Sequence, residues 1–238
     1  MANTNIITAE NIKKIIEDND FNSASAETFS TYDFSYKYLL EIFKDLTTKG
    51  DLKQWLIGGS SIIYSWMPTI LHFSKDSDKN EKKVNTHLEK CIEALKFIKK
   101  EIAGDFVKLL NNPEFYTKDK ECHINTLTSF INNSIVGTSK FLHFSFPEHF
   151  PIWDSRVERA TRFIKKDGKP ELIKDVKKND YQTNKVDNYI AYCKAVNELI
   201  SKYPAFLKDI DGKLDGGKKE TTPIRKIENA LFIIGGKK

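Results

Sequence analysis

Cysteine is scarce in this chain: Cys91, Cys122 and Cys193 are the only three in 238 residues, and no two form a CxxC pair. Their spacing suggests neither a zinc site nor the disulfide framework that staples small secreted domains. Long apolar runs are also missing, with no window approaching the roughly 18 apolar residues of a membrane span. The first residues, Met1-Ala2-Asn3-Thr4-Asn5, carry no basic stretch leading into an apolar segment, as a targeting signal would. The expectation is an untargeted protein of the reducing cytoplasm, without a membrane partner. No P-loop, HExxH or GxSxG motif occurs, so nucleotide hydrolysis, zinc proteolysis and serine hydrolysis have no positive support. Internal repeats and sustained strand alternation are absent too, and an all-α fold is expected.

The composition is that of a chain that folds. Hydrophobic residues make up 39% and charged residues 30%, far from the balance of a disordered sequence. The length is enough to bury a substantial core, and one domain over residues 1–238 is the default. Lys and Arg number 38 against 33 Asp and Glu, for a net charge of +5 and a pI near 8.8. That mild excess is compatible with phosphate neutralisation on a nucleic acid without establishing it.

Apolar residues recur with a helical period nearly throughout. Ile7, Ile12, Ile15 and Ile16 mark a first helix behind Thr8. Tyr36, Leu39, Leu40, Phe43 and Leu46 mark a second, after a Ser/Asn-rich loop near residues 20–30 and ending at Gly50. Gly58-Gly59-Ser60-Ser61 reads as a loop feeding a helix from Ile62, and the Lys/Asp/Asn run over 75–83 as a solvated loop. A long helix over 84–110 is expected to break near Gly104 and to close at Pro113. Further helices are expected over 124–131, 155–165, 181–203 and 223–233, with a basic glycine-containing loop over 211–219.

Chemistry concentrates in Val136-Gly137-Thr138-Ser139-Lys140-Phe141-Leu142-His143-Phe144 and, just beyond, Phe150-Pro151-Ile152-Trp153-Asp154-Ser155-Arg156-Val157. Asp154 precedes a sequence able to continue as a helix, and aspartate is a favoured N-cap, worth about 1 kcal/mol with no catalytic role required. Lys140 precedes it by 14 positions and is placed by the pattern in the first turn of a helix after Gly137-Thr138. There the helix dipole disfavours the ammonium, which suits a nucleophile that attacks only as the free amine.

Together these segments resemble the helix-hairpin-helix superfamily of DNA base-excision glycosylases, and within it the 8-oxoguanine glycosylase-like branch. In that family a Gly-x-Gly hairpin leads into a helix carrying the catalytic lysine, and a Pro-x-Asp segment caps the next helix with the catalytic aspartate. The likeness covers about residues 125–165. Ile135 stands where the first hairpin glycine would be, Lys140 lies one residue further past Gly137, and Trp153 adds a residue between proline and aspartate. The resemblance implies a two-lobed all-α glycosylase-like fold with a variant hairpin and a cleft near 137–154. It also implies a double-stranded DNA partner, and the chain is expected to act as a monomer without cofactor or metal. Three cysteines rule out the four-cysteine iron–sulfur cluster of some relatives.

The target nucleotide would be flipped into a pocket. Asp154 would stabilise positive charge at the sugar carbon, and Lys140 would attack it and cleave the strand through a Schiff base. Gly137, Thr138 and Ser139, with Arg156, Arg159 and Arg162 at steps of three, are candidates for DNA contact. Tyr64, Trp66, Met67, His143 and Trp153 are candidates for the base pocket, and His149 flanks the connection; core packing is the competing explanation for these residues. The expected activity is excision of a modified base, such as glucosylated hydroxymethylcytosine in phage DNA, as antiviral defence. Oxidised-guanine repair by a glycosylase/lyase and a catalytically silent DNA-binding defence module stay open as alternatives.

Overall fold

The computed structural model describes residues 7–19, 26–65, 67, 70–73, 81–118, 121–166, 169–172, 183–214 and 222–236; for 26–34, 163–172 and 211–213 the backbone alone is described. These residues are mostly helical, and they divide into two compact units, one formed by 1–33 with 147–238 and the other by 34–146.

The first unit holds α1 (Ala9–Asp18), α8 (Ser155–Ala160), a small hairpin of β1 (Phe163–Lys166) and β2 (Lys169–Leu172), α9 (Val186–Lys202), α10 (Pro204–Leu214) and α11 (Pro223–Gly236). Thr8 caps α1 by accepting the Asn11 N–H at 3.2 Å, and Ile12, Ile15 and Ile16 turn inward at helical spacing. That interior face meets α9, whose Tyr189, Tyr192, Cys193, Val196 and Leu199 recur at i, i+3, i+4, i+7 and i+10 and are all buried. Helix α11 packs on α8, α9 and α10.

The expected helix over 155–165 stops at Ala160. After it the chain turns at Thr161 into β1, which pairs antiparallel with β2 in the register Phe163↔Leu172 to Lys166↔Lys169. In the sequence, Asp167-Gly168 between the two strands is a two-residue hairpin signal, which needs no long alternation around it.

The second unit holds most of α2 (Ala26–Lys49), then α3 (Leu52–Ser65), α4 (Glu81–Ile102), α5 (Phe106–Asn111), α6 (His123–Phe130) and α7 (Ile135–Ser145). The break expected near Gly104 is present: Asp105 accepts the Val107 and Lys108 N–H groups at 2.9 and 3.2 Å and starts α5. Gly58-Gly59-Ser60-Ser61 is not a loop, because α3 runs straight through it. A Cβ on Gly59 would stand 3.0 Å from both Phe141 and Phe43, so the glycine serves close packing against α2 and α7 rather than a turn. Around it Phe43, Trp55, Phe141 and Phe144 form an aromatic core with ring centroids 5.6–6.2 Å apart, and Trp55 donates its indole N–H to Ser145 at 2.9 Å. The run over 75–83 lies outside the described residues up to 80, after which α4 has begun. Residues 215–219 of the expected basic loop also lie outside them, whereas 211–214 finish α10.

Candidate functional site

The connection into Asp154 is fixed residue by residue. Phe150, Ile152 and Trp153 are buried in the first unit, with the Trp153 indole N–H donating to the Thr183 carbonyl at 2.7 Å and its ring 5.2 Å from that of Tyr192. Asp154 then caps α8. A single carboxylate oxygen, Oδ1, accepts both the Arg156 and Val157 N–H groups, each at 2.9 Å. The cap leaves Oδ2 unused, on a side chain that is half-buried. One oxygen holds the carboxylate still, and the other can face a developing positive charge.

Several buried polar side chains belong to the same unit as this aspartate. On α11, Glu228 and Arg225 form a buried ion pair. The hydroxyls of Tyr189 and Tyr192 are buried; that of Tyr189 lies beside the Cys193 thiol, and that of Tyr192 has no hydrogen-bond partner among the described residues. Burial pushes both phenols well above their ordinary pKa; for Tyr192 the negative charges of Glu228 and Asp154 push in the same direction. Sequence reasoning missed Tyr192, Arg225 and Glu228. Their one legible sign was charge at Arg225 and Glu228 inside the otherwise apolar stripe of α11.

Lys140 is placed differently from its expected position. The tight turn before α7 is Ile131-Asn132-Asn133-Ser134, with Asn132 and Asn133 at φ 59° and 49°, the left-handed region that asparagine tolerates better than most side chains. Ser134 caps α7 by accepting the Gly137 N–H at 3.2 Å. Gly137 and Thr138 therefore lie inside the helix and form no hairpin, and Lys140 is its sixth residue, half-buried, beyond the first turn. Asn-Asn followed by Ser carries a turn and N-cap signature that would have located this start. Lys140 belongs to the second unit and Asp154 to the first.

The remaining candidates serve the interior or their own helices. The Thr138 and Ser139 side chains are fully buried and donate to the Ser134 and Val136 carbonyls, each at 2.9 Å, so they offer no exposed hydroxyl to a phosphate. Gly137 lies under Tyr64, whose phenol oxygen would be 2.4 Å from a Cβ there. The Tyr64 hydroxyl is buried near Ser134 and Asn132. Burial raises its pKa, and those two neighbours lower it. His143 is fully buried and bonds the Tyr36 hydroxyl at 2.7 Å, which makes it a core histidine rather than a pocket wall. Trp153 is likewise core. Met67 is half-buried just past α3, and Trp66 lies outside the described residues. His149 is half-buried, with its pKa lowered by that burial.

The three arginines do not share one phosphate-tracking face. Arg156 stacks over the Phe232 ring at 4.5 Å, Arg159 donates to the Gly235 carbonyl at 2.9 Å, and Arg162 pairs with Glu158 at 2.9 Å. Arg156 and Arg159 thus bind the last turn of α11 to α8.

In the second unit an open cavity of about 450 Å³ is lined by Thr47, Asp51, Trp55, Lys96, Lys99 and Lys100 among others, and contains none of the candidate residues. Lys99 is already engaged there, over the Trp55 ring at 5.7 Å and on the Thr47 carbonyl at 3.3 Å. All three cysteines are free and buried, and burial lifts the Cys91 thiol to about 12. Among the described residues no group of three or more His, Cys, Asp or Glu could hold a metal ion, and no helix is long and apolar enough to cross a membrane. No protein-family model, curated protein or solved structure matches the chain.

Proposed function

We propose that this protein is a DNA glycosylase of glycosylase-like two-lobed helical fold, acting in the cytoplasm and excising a modified base after flipping it from the duplex. The observation that carries the reading is Asp154, immobilised through Oδ1 by two backbone N–H groups while Oδ2 is free of the cap. A carboxylate so held needs no reorganisation to stabilise positive charge at a sugar carbon as the glycosidic bond breaks. The order of segments, a capped helix with Lys140 and then Pro151-Ile152-Trp153-Asp154, supports the same reading. Water is the favoured nucleophile, because Lys140 stands beyond the helix start that would favour a neutral amine. The product is then an intact abasic site. Modified phage DNA, including DNA with glucosylated hydroxymethylcytosine, is the first substrate class to test, with oxidised guanine as the alternative.

The test incubates the purified protein with such DNAs and measures free base and abasic sites. Base release that Asp154→Asn abolishes is the expected result. Release that survives Asp154→Asn overturns the mechanism. Retention of duplex on a filter with no base released from any of these DNAs favours a silent DNA-binding module instead.

A further inference from the structure

Helix α11 touches the segment that carries Asp154 at four successive levels. At its start, the Thr222 hydroxyl caps the helix by accepting the Arg225 N–H at 3.1 Å and also lies 3.4 Å from the Pro147 carbonyl, which can accept its proton. One turn on, Glu228 Oε2 accepts the Ile152 N–H at 3.4 Å, while Oε1 is held by Arg225. Phe232 underlies the Arg156 guanidinium. At the end, Gly235 lies against the Arg156 carbonyl and receives Arg159 on its own carbonyl oxygen. The connection 147–153 contains Pro147 and Pro151, which have no N–H to give, so five backbone donors are left in it. The Ile152 donor, two residues ahead of Asp154, goes to a buried charged acceptor. A well-packed hydrocarbon often serves the core as well as a buried ion pair does; this carboxylate also accepts a backbone N–H.

From this we propose that Glu228, held by Arg225, is a positioning residue for Asp154: it fixes the Ile152 peptide and thereby the direction of the capping carboxylate. The catalytic meaning of this inference rests on the glycosylase reading, but the positioning itself does not. Glu228 touches no reacting atom; it acts through the backbone.

The test compares two full-length variants that share Arg225→Met, so that no buried cation is left unpaired. One adds Glu228→Gln, which keeps an acceptor for the Ile152 N–H, and the other adds Glu228→Met, which removes it. Hydrogen exchange is read at the Ile152, Arg156 and Val157 amides, with the interior amides of α9 as a control for general loosening. The Met/Met protein is expected to exchange at those three amides about tenfold faster than the Met/Gln protein, with α9 equal in the two. Equal exchange in both proteins, or a rise that includes α9 to the same extent, overturns the proposal. On a DNA from which the wild type releases base, kcat falls in Met/Met and recovers in Met/Gln while KM stays constant; a parallel change in KM alone also overturns it. If the wild type releases no base, the glycosylase reading fails while the exchange comparison still decides the positioning.

Discussion

The Arg156 carbonyl oxygen lies where Gly235 has room for it: a Cβ on Gly235 would stand 1.9 Å away. Neither partner can yield, since one is the first turn of α8 behind Asp154 and the other the last turn of α11. Gly235→Ala is therefore expected to destabilise the first unit by about 1–3 kcal/mol, as overpacked cores do. Gly137→Ala meets the Tyr64 side chain rather than backbone and should cost less. Gly58→Ala, whose nearest obstacle is 3.9 Å away, should stabilise by about 0.5–1 kcal/mol because it removes a mid-helix glycine. Urea unfolding of the three variants checks the ranking.

Asp154 has two separable roles, and two substitutions divide them. Asn keeps a capping oxygen, so Asp154→Asn should leave stability nearly unchanged while slowing base release about 100-fold or more. Asp154→Ala should lose the same activity and also about 1 kcal/mol of stability. Equal unfolding midpoints for Asn and Ala would remove the cap from the account.

Lys140→Gln should retain base release, and borohydride should trap no covalent adduct between protein and DNA. A trapped adduct that disappears in Lys140→Gln would restore the lysine as nucleophile and make strand cleavage part of the activity.

Tyr36→Phe removes the hydroxyl that meets His143 Nε2 at 2.7 Å in the interior. An imidazole nitrogen deprived of its buried partner should cost about 1–3 kcal/mol, read as a lower midpoint of thermal or urea unfolding with base release intact in the folded protein.

His123 and His149 both have pKa values lowered by burial, with Glu114 and Glu93 partly offsetting this at His123. In the unfolded chain each takes its proton near pH 6.5, before the folded protein does, so the unfolded state binds more protons in that window. Stability should therefore fall as pH drops from about 6.5 toward the lowered folded-state values. Replacing either histidine by asparagine should flatten that fall, and unfolding curves between pH 7 and 5 measure it.

Helical period, caps and breaks could be read along the chain because they are local. Thr8 before α1, the Gly104-Asp105 break and the buried stripe of α9 all follow from spacing and from side-chain bonds to nearby backbone. Asp154 as a helix cap is legible for the same reason, since its partners are two and three residues away. Gly58-Gly59 suggests a loop in the sequence because the reason for Gly59 is not local: it packs against Phe43 and Phe141, distant in sequence. The start of α7 lies at Asn132-Asn133-Ser134 rather than at Gly137, because Gly137 too answers to a distant residue, Tyr64.

Sequence alone determined that this chain is helical and where a carboxylate caps a helix, because those properties arise within a few residues. Only the tertiary structure decided that His143 and Trp153 are core and that Arg156 and Arg159 fasten α8 to α11. It also placed Glu228 where it meets the Ile152 peptide. Each of those outcomes depends on which surface a side chain meets across tens of residues of chain, and burial then fixes whether its polar atoms face a partner or none.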